Sequence, residues 1–199
     1  MNIIGIFPTP VGIVDLPRSL TEKELNFMKV QEVRSNEGNF TSLNNYILNS
    51  TELADLKYLI WEQVQGFFNH IYQPKYLNNL RITQSWLNYN PTNMYHHLHA
   101  HPNSILSGVF YPEGSDTEGK ITFHKTTYNQ IQFEASISND FNNVTYTIPA
   151  QTNRLVIFPS SLSHSVEPFN SPTARVSLAF NTFATGVFGE NVMLTELIL

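Results

Sequence analysis

From about residue 78 onward the chain stops repeating apolar residues at helical spacing. It breaks instead into short runs rich in Val, Ile, Phe, Tyr and Thr, separated by Pro, Gly, Asn and Ser. The runs predict strands at 80–90, 94–101, 104–112, 120–125, 144–150, 153–159, 164–169 and 174–184, with turns in "YPEGSDTEGK" and "SISNDFNNVT". Many short strands with such turns predict a mainly β protein, a double-sheet jelly roll preceded by N-terminal helices. Alternation in "LVIF" and "VSLAF" assigns Leu155, Ile157, Val176, Leu178 and Phe180 to the sheet core.

The first 78 residues read differently. Ile3 to Phe7 and Val11 to Val14 are expected as short strands flanking the "PTP" turn. "SLTEKELNFMKVQEV" opens with two possible capping boxes, Ser19 with Glu22 or Thr21 with Glu24, and predicts a helix. A second, clearer helix starts near Ser50 or Thr51, where Leu53, Leu56, Leu59, Ile60, Val64, Phe67 and Phe68 recur at three-to-four-residue intervals. At 199 residues the chain is expected to form a single domain. Within it, 1–78 is a helical support with an N-terminal strand, 79–185 the jelly-roll core and 186–199 a C-terminal extension.

Composition narrows the function. The formal charge is −5, with 11 Lys and Arg and no run of them, which speaks against a nucleic-acid surface. Cysteine is absent, so any metal must be held by imidazole, carboxylate or water. The N-terminus lacks a basic region and a small-residue cleavage pattern, and no apolar run approaches membrane-spanning length, so neither a signal peptide nor a membrane span is expected.

The densest chemical feature is "YHHLHAHPNS", which packs four of the chain's seven histidines into positions 96 to 101. In a regular strand His97, His99 and His101 share one face and His96 the other. Further on, "FPSSLSHSVEPFN" places His164 after an apolar strand and a turn. A close pair of ligands joined by a distant third is a metal-site pattern, so His99, His101 and His164 are the candidate ligands, and neutral imidazoles suit iron, zinc, nickel or copper. His97 is a candidate supporting residue. His70 and His124 are expected in surface or packing roles. Trp86, Asn88, Asn103, Ser107 and Tyr111 flank the histidine strand or its neighbours and are candidate pocket residues.

The segments "WLNYN", "HHLHAHPNSILSGVFYP", "NRLVIFPSSLSHSVEP" and "ARVSLAFN" together resemble the iron- and 2-oxoglutarate-dependent oxygenase superfamily, in particular its phage and bacterial branch similar to prolyl hydroxylases. The resemblance covers roughly residues 80 to 184. It implies a double-stranded β-helix with ferrous iron at His99, His101 and His164, and 2-oxoglutarate and molecular oxygen as cosubstrates. It assigns the remote carboxylate of 2-oxoglutarate to Arg175, with Ser177 adding a hydroxyl. The implied reaction is hydroxylation of a peptide or protein side chain such as proline, or of a small molecule, in the cytoplasm of a bacterial cell or phage-infected host. His101 stands where the family usually has Asp or Glu. No acid occurs from Asn90 through Pro112, and Glu113, Asp116 and Glu118 reach the site only if their loop folds back. A cupin-like three-histidine dioxygenase that uses no 2-oxoglutarate is therefore a second reading, and a noncatalytic jelly-roll binding module a third.

Overall fold

The computed structural model describes residues 1–115, 119–125, 133–168, 170 and 174–199. The turn at 111–120 lies partly outside them. Ile3 to Phe7 form no strand: the apolar side chains are exposed, Phe7 sits at φ 58°, and Pro8 and Pro10 have no N–H to offer a ladder. β1 (Gly12–Asp15) follows. α1 (Glu22–Lys29) starts at Thr21, whose hydroxyl accepts from the Glu24 N–H while the Glu24 carboxylate accepts from the Thr21 N–H, so the second of the two boxes is the one formed. β2 (Val33–Ser35) and β3 (Phe40–Ser42) make a hairpin that the sequence pattern did not show. After two 3-10 turns, Ile47–Asn49 and Thr51–Leu53, α2 runs over Ala54–Tyr72 and ends at Gln73 in the left-handed region.

The remaining strands are β4 (Asn78–Asn90), β5 (His96–His99), β6 (Leu106–Tyr111), β7 (Ile121–His124), β8 (Thr145–Ile148), β9 (Arg154–Pro159), β10 (His164–Val166), β11 (Arg175–Phe188) and β12 (Leu197–Ile198). They form two sheets. The larger has the order β1-β9-β6-β11-β4-β3-β2, with β12 paired to the end of β11, and the smaller has the order β5-β10-β7-β8.

This arrangement corrects the jelly-roll expectation. Both sheets are open: among the described residues β1 and β2, and β5 and β8, each pair with a single neighbour, so no strand closes either sheet into a double-stranded β-helix. Among the described residues the architecture is a mixed α/β fold of two sheets and two α-helices. The physical reason lies in the helices. Leu56, Ile60, Val64 and Phe68 on one stripe of α2 pack with Leu87, Leu106, Phe110, Leu155, Ile157, Leu178 and Phe180 of the large sheet, so its outer face is covered without further strands. Val176 is half-buried at the edge of the same core.

The opposite face of the large sheet presents Val109, Tyr111, Val156 and Phe158 to Ile121, Phe123 and Ile148 of the small one. Strands β6 and β9 are thus buried on both faces, which explains the unbroken apolar runs "GVFY" and "LVIF". Among the described residues no helix is long and apolar enough to cross a membrane.

Gly108 lies where β6 crosses Phe180 of β11. A methyl group there would meet the Phe180 ring and stand 2.9 Å from the Val156 carbonyl. Gly108→Ala is expected to lower stability by about 1–3 kcal/mol in urea unfolding, the usual cost of overpacking; an unchanged midpoint would show that the Phe180 ring has room to move.

Candidate metal and ligand site

The site lies between the sheets. On the small sheet, β5 and β10 pair with His99 opposite His164 and His96 opposite Val166. Three residues of β5 are thus spanned by two of β10, which is a β-bulge. The bulge breaks the strict alternation, so His96 does not point away from the cluster: its ring stacks on His99 at 4.4 Å. His101 lies beyond the end of β5, and its N–H donates to the Ser160 carbonyl at 2.8 Å. His99, His101 and His164 each bring a ligand nitrogen within 4.8 Å of the others. His96, His97 and His99 form a second such group.

The hydrogen bonds fix which nitrogens face inward. Nδ1 of His99 donates to the His97 carbonyl at 2.8 Å, and Nδ1 of His164 to the Leu162 carbonyl at 2.9 Å. A carbonyl can only accept, so both rings carry the proton on Nδ1 and turn the Nε2 lone pair inward, the second-shell arrangement of metal-bound imidazole. Nε2 of His101 and of His164 stand 3.3 Å apart. A metal about 2.1 Å from both would subtend an angle of about 100°, within ordinary coordination geometry. Burial lowers the pKa of His164 to about 3 and of His101 to about 4, and lowers that of His99, each assisted by neighbouring imidazoles. The rings are held neutral, as ligands must be. By the chemistry of its donors the group fits a divalent transition metal.

The large sheet supplies the other wall. β4 and β11 pair in register as Trp86 with Ala179, Asn88 with Ser177 and Asn90 with Arg175, and all six residues line one pocket with His96, His99, His101 and His164. Period-two alternation puts these six on the face opposite the Leu87, Leu178 and Phe180 core. Arg175 is held by the Gly119 carbonyl and lies 5.5 Å over the Tyr111 ring. Burial lowers its pKa, while burial raises that of Tyr111 to about 12, leaving a neutral phenol under the guanidinium. Trp86 packs 5.8 Å from the His101 ring and donates from Nε1 to Asn88 Oδ1 at 3.2 Å. Val109, Ile121, Phe158 and Val166 make the apolar part of the lining.

Of the remaining sequence candidates, Asn103 occupies a turn at φ 56°, and Ser107 bonds to Ser160 and Asn181. Neither lines the pocket. His97 lies outside it too, with Nδ1 3.4 Å from the Glu37 carbonyl. His70 is exposed on α2, and His124 bonds to Ser165. Glu113 is ion-paired to Lys29 at 2.8 Å, while Asp116 and Glu118 lie outside the described residues. Among the described residues no Asp or Glu lines the pocket. The sequence reading missed His96, which the bulge brings in, and Asn90. The signal for Asn90 was present, two residues past Asn88 on one strand face.

The buried neutral imidazoles make stability depend on pH. The unfolded chain takes up protons as pH falls below 6.5, whereas the folded site resists them until far lower values. Their contribution is present above 6.5 and is lost as pH falls toward about 3. The thermal midpoint of metal-free protein should therefore drop between about pH 7 and about pH 5, where carboxylates stay ionised. A flat midpoint over that range would contradict the burial of neutral rings.

Residues 84–181 match the family described as "Putative 2OG-Fe(II) oxygenase". Among curated proteins none matches. Among solved structures, HygX from Streptomyces hygroscopicus with nickel and 2-oxoglutarate bound aligns with a TM-score of 0.60 at 9% identity, over 87% of this chain and 82% of that one. A Pseudomonas putida prolyl-4-hydroxylase aligns at 0.58 and 12% identity, over 87% and 92%. The Trichoplax adhaerens prolyl hydroxylase in complex with a hypoxia inducible factor peptide aligns at 0.57 and 14% identity, over 87% and 83%. At these identities the likeness is one of fold.

Proposed function

We propose that this chain belongs to the 2OG-Fe(II) oxygenase superfamily and is an iron- and 2-oxoglutarate-dependent dioxygenase with His99, His101 and His164 as its iron ligands. The observation that carries this reading is that three imidazoles and the Arg175 guanidinium line one pocket between the sheets. A dicarboxylate would span them, one end toward the metal and the other toward Arg175. HygX, which shares the fold, holds nickel and 2-oxoglutarate together.

When bound, iron and 2-oxoglutarate supply the oxidative chemistry with molecular oxygen, 2-oxoglutarate leaving as succinate and carbon dioxide. The chain's own residues bind and orient. Carbonyl-anchored Nδ1 protons aim the Nε2 atoms of His99 and His164, and the Ser160 carbonyl fixes the backbone of His101. Arg175 would hold the remote carboxylate, with the Ser177 hydroxyl beside it on the same face. Trp86 and Asn88 form the wall next to His101, Tyr111 supports Arg175, and Val109, Ile121, Phe158 and Val166 keep water from the metal. His97 and Ser107 act from outside the pocket, Ser107 through its bond to Ser160. Residues 79–185 form the catalytic core, 1–78 its support and 186–199 an extension. The substrate is a peptide or protein side chain such as proline, or a small molecule: the fold relatives include a hydroxylase bound to a peptide and HygX bound to hygromycin B.

The second reading, a three-histidine dioxygenase without 2-oxoglutarate, is favoured by His101 in the position of the usual carboxylate. Anaerobic titration with ferrous iron and then 2-oxoglutarate, followed by oxygen and succinate detection, separates the two. Wild type is expected to bind both. His164→Ala should weaken iron binding at least about tenfold, and Arg175→Ala should weaken 2-oxoglutarate binding by about tenfold or more with iron affinity unchanged. Iron binding without saturable 2-oxoglutarate binding would move the function to the second reading.

A further inference from the structure

On β5 three histidine rings come together that the inner group does not account for. His96, His97 and His99 each bring a ring nitrogen within 4.8 Å of the other two, and their ring centroids stand 5.2, 4.4 and 4.8 Å apart. In a regular strand His96 and His97 would face opposite sides. The bulge against β10 brings His96 round, so the four residues "HHLH" deliver three imidazoles to one place.

The hydrogen bonds leave these rings with nitrogens to give. Nδ1 of His97 faces the Glu37 carbonyl at 3.4 Å and Nδ1 of His99 the His97 carbonyl at 2.8 Å. A carbonyl can only accept, so both rings keep the lone pair on Nε2. The half-buried His96 ring makes no hydrogen bond among the described residues. Three neutral imidazoles with uncommitted nitrogens are the donor set of a borderline divalent ion such as zinc, nickel or copper(II). Zinc bonded at about 2.1 Å wants its nitrogens about 3.4 Å apart, so rings within 4.8 Å close on it by moving little more than about 1 Å. His97 lies outside the pocket and its contact with Glu37 is exposed, so an ion reaches this position without passing the inner ligands.

One ring belongs to both groups, since His99 also stands with His101 and His164. A neutral imidazole has a single lone pair, so His99 serves one metal at a time. We propose that His96, His97 and His99 form a second metal position, for zinc or another borderline divalent ion, whose occupation excludes that of the inner position because the two share His99. The proposal rests on the reading above for the inner position alone and needs nothing of 2-oxoglutarate. Imidazole sites hold zinc more tightly than ferrous iron, so zinc in the outer position withdraws a ligand from iron.

The test is zinc titration of the full chain against a chromophoric chelator at neutral pH, with thermal midpoints measured in parallel. Wild type is expected to take one zinc. The double variant His101→Gln, His164→Gln loses two inner ligands and should still take one zinc, and adding His97→Ala to it should weaken that zinc at least about tenfold. Should the double variant fail to fold, His101→Gln alone, beyond the end of β5, carries the same comparison with and without His97→Ala. The proposal is overturned if the double variant binds zinc no more tightly than the triple one, or if wild type takes two zinc ions, one lost with His97 and the other with His164. The inner reading fails separately, if ferrous iron binds the double variant as tightly as it binds wild type.

Discussion

The antiparallel ladder between β4 and β11 is the constraint on which the rest of the molecule depends. It runs in register from Asn90 with Arg175 to Asn78 with Gly186, with one shift between Asn181 and Thr182. Because side chains alternate along each strand, this pairing commits Leu87, Leu178 and Phe180 to the helix-covered core and Trp86, Asn88, Asn90, Arg175 and Ser177 to the pocket. A one-residue slip would exchange the two sets. It would bury a guanidinium against α2 and expose the core leucines to the pocket.

The small sheet carries the opposite burden with much shorter strands. β5 and β10 together contribute His99 and His164, and they cannot specify register by length. Backbone anchoring replaces length: each ring is tied through Nδ1 to a carbonyl within its own segment, and His101 is tied through its N–H to Ser160. Ser160 is in turn bonded through its hydroxyl to Ser104 and Ser107, so a buried hydroxyl cluster underlies the turn that presents His101. The Nε2 atoms of His99 and His164 are therefore aimed by hydrogen bonds of the protein itself.

Electrostatics sets the charge states of the groups that line the pocket. Buried imidazoles stay neutral, Tyr111 stays a phenol, and the Arg175 guanidinium remains ionised because its intrinsic pKa is so high. The protein thus places a guanidinium and three neutral imidazoles in the lining of one pocket.

The sequence by itself determined the positions of nine of the strands to within a few residues, both α-helices, the Thr21 and Glu24 cap as one of two options, and the grouping of His99, His101 and His164 with Arg175. These rest on local periodicity, on capping chemistry and on residue types too specific to be incidental. It did not show the β2–β3 hairpin, whose three-residue strands are too short for a period to register, and it placed a strand at Ile3 to Phe7 that has no partner to pair with. Only the tertiary structure decided that the sheets stay open under the helices, that a bulge turns His96 onto His99, and that Asn90 pairs in register with Arg175. Each of these depends on which distant segments pair and in what register, and a pattern read along one segment carries no information about the partner that completes it.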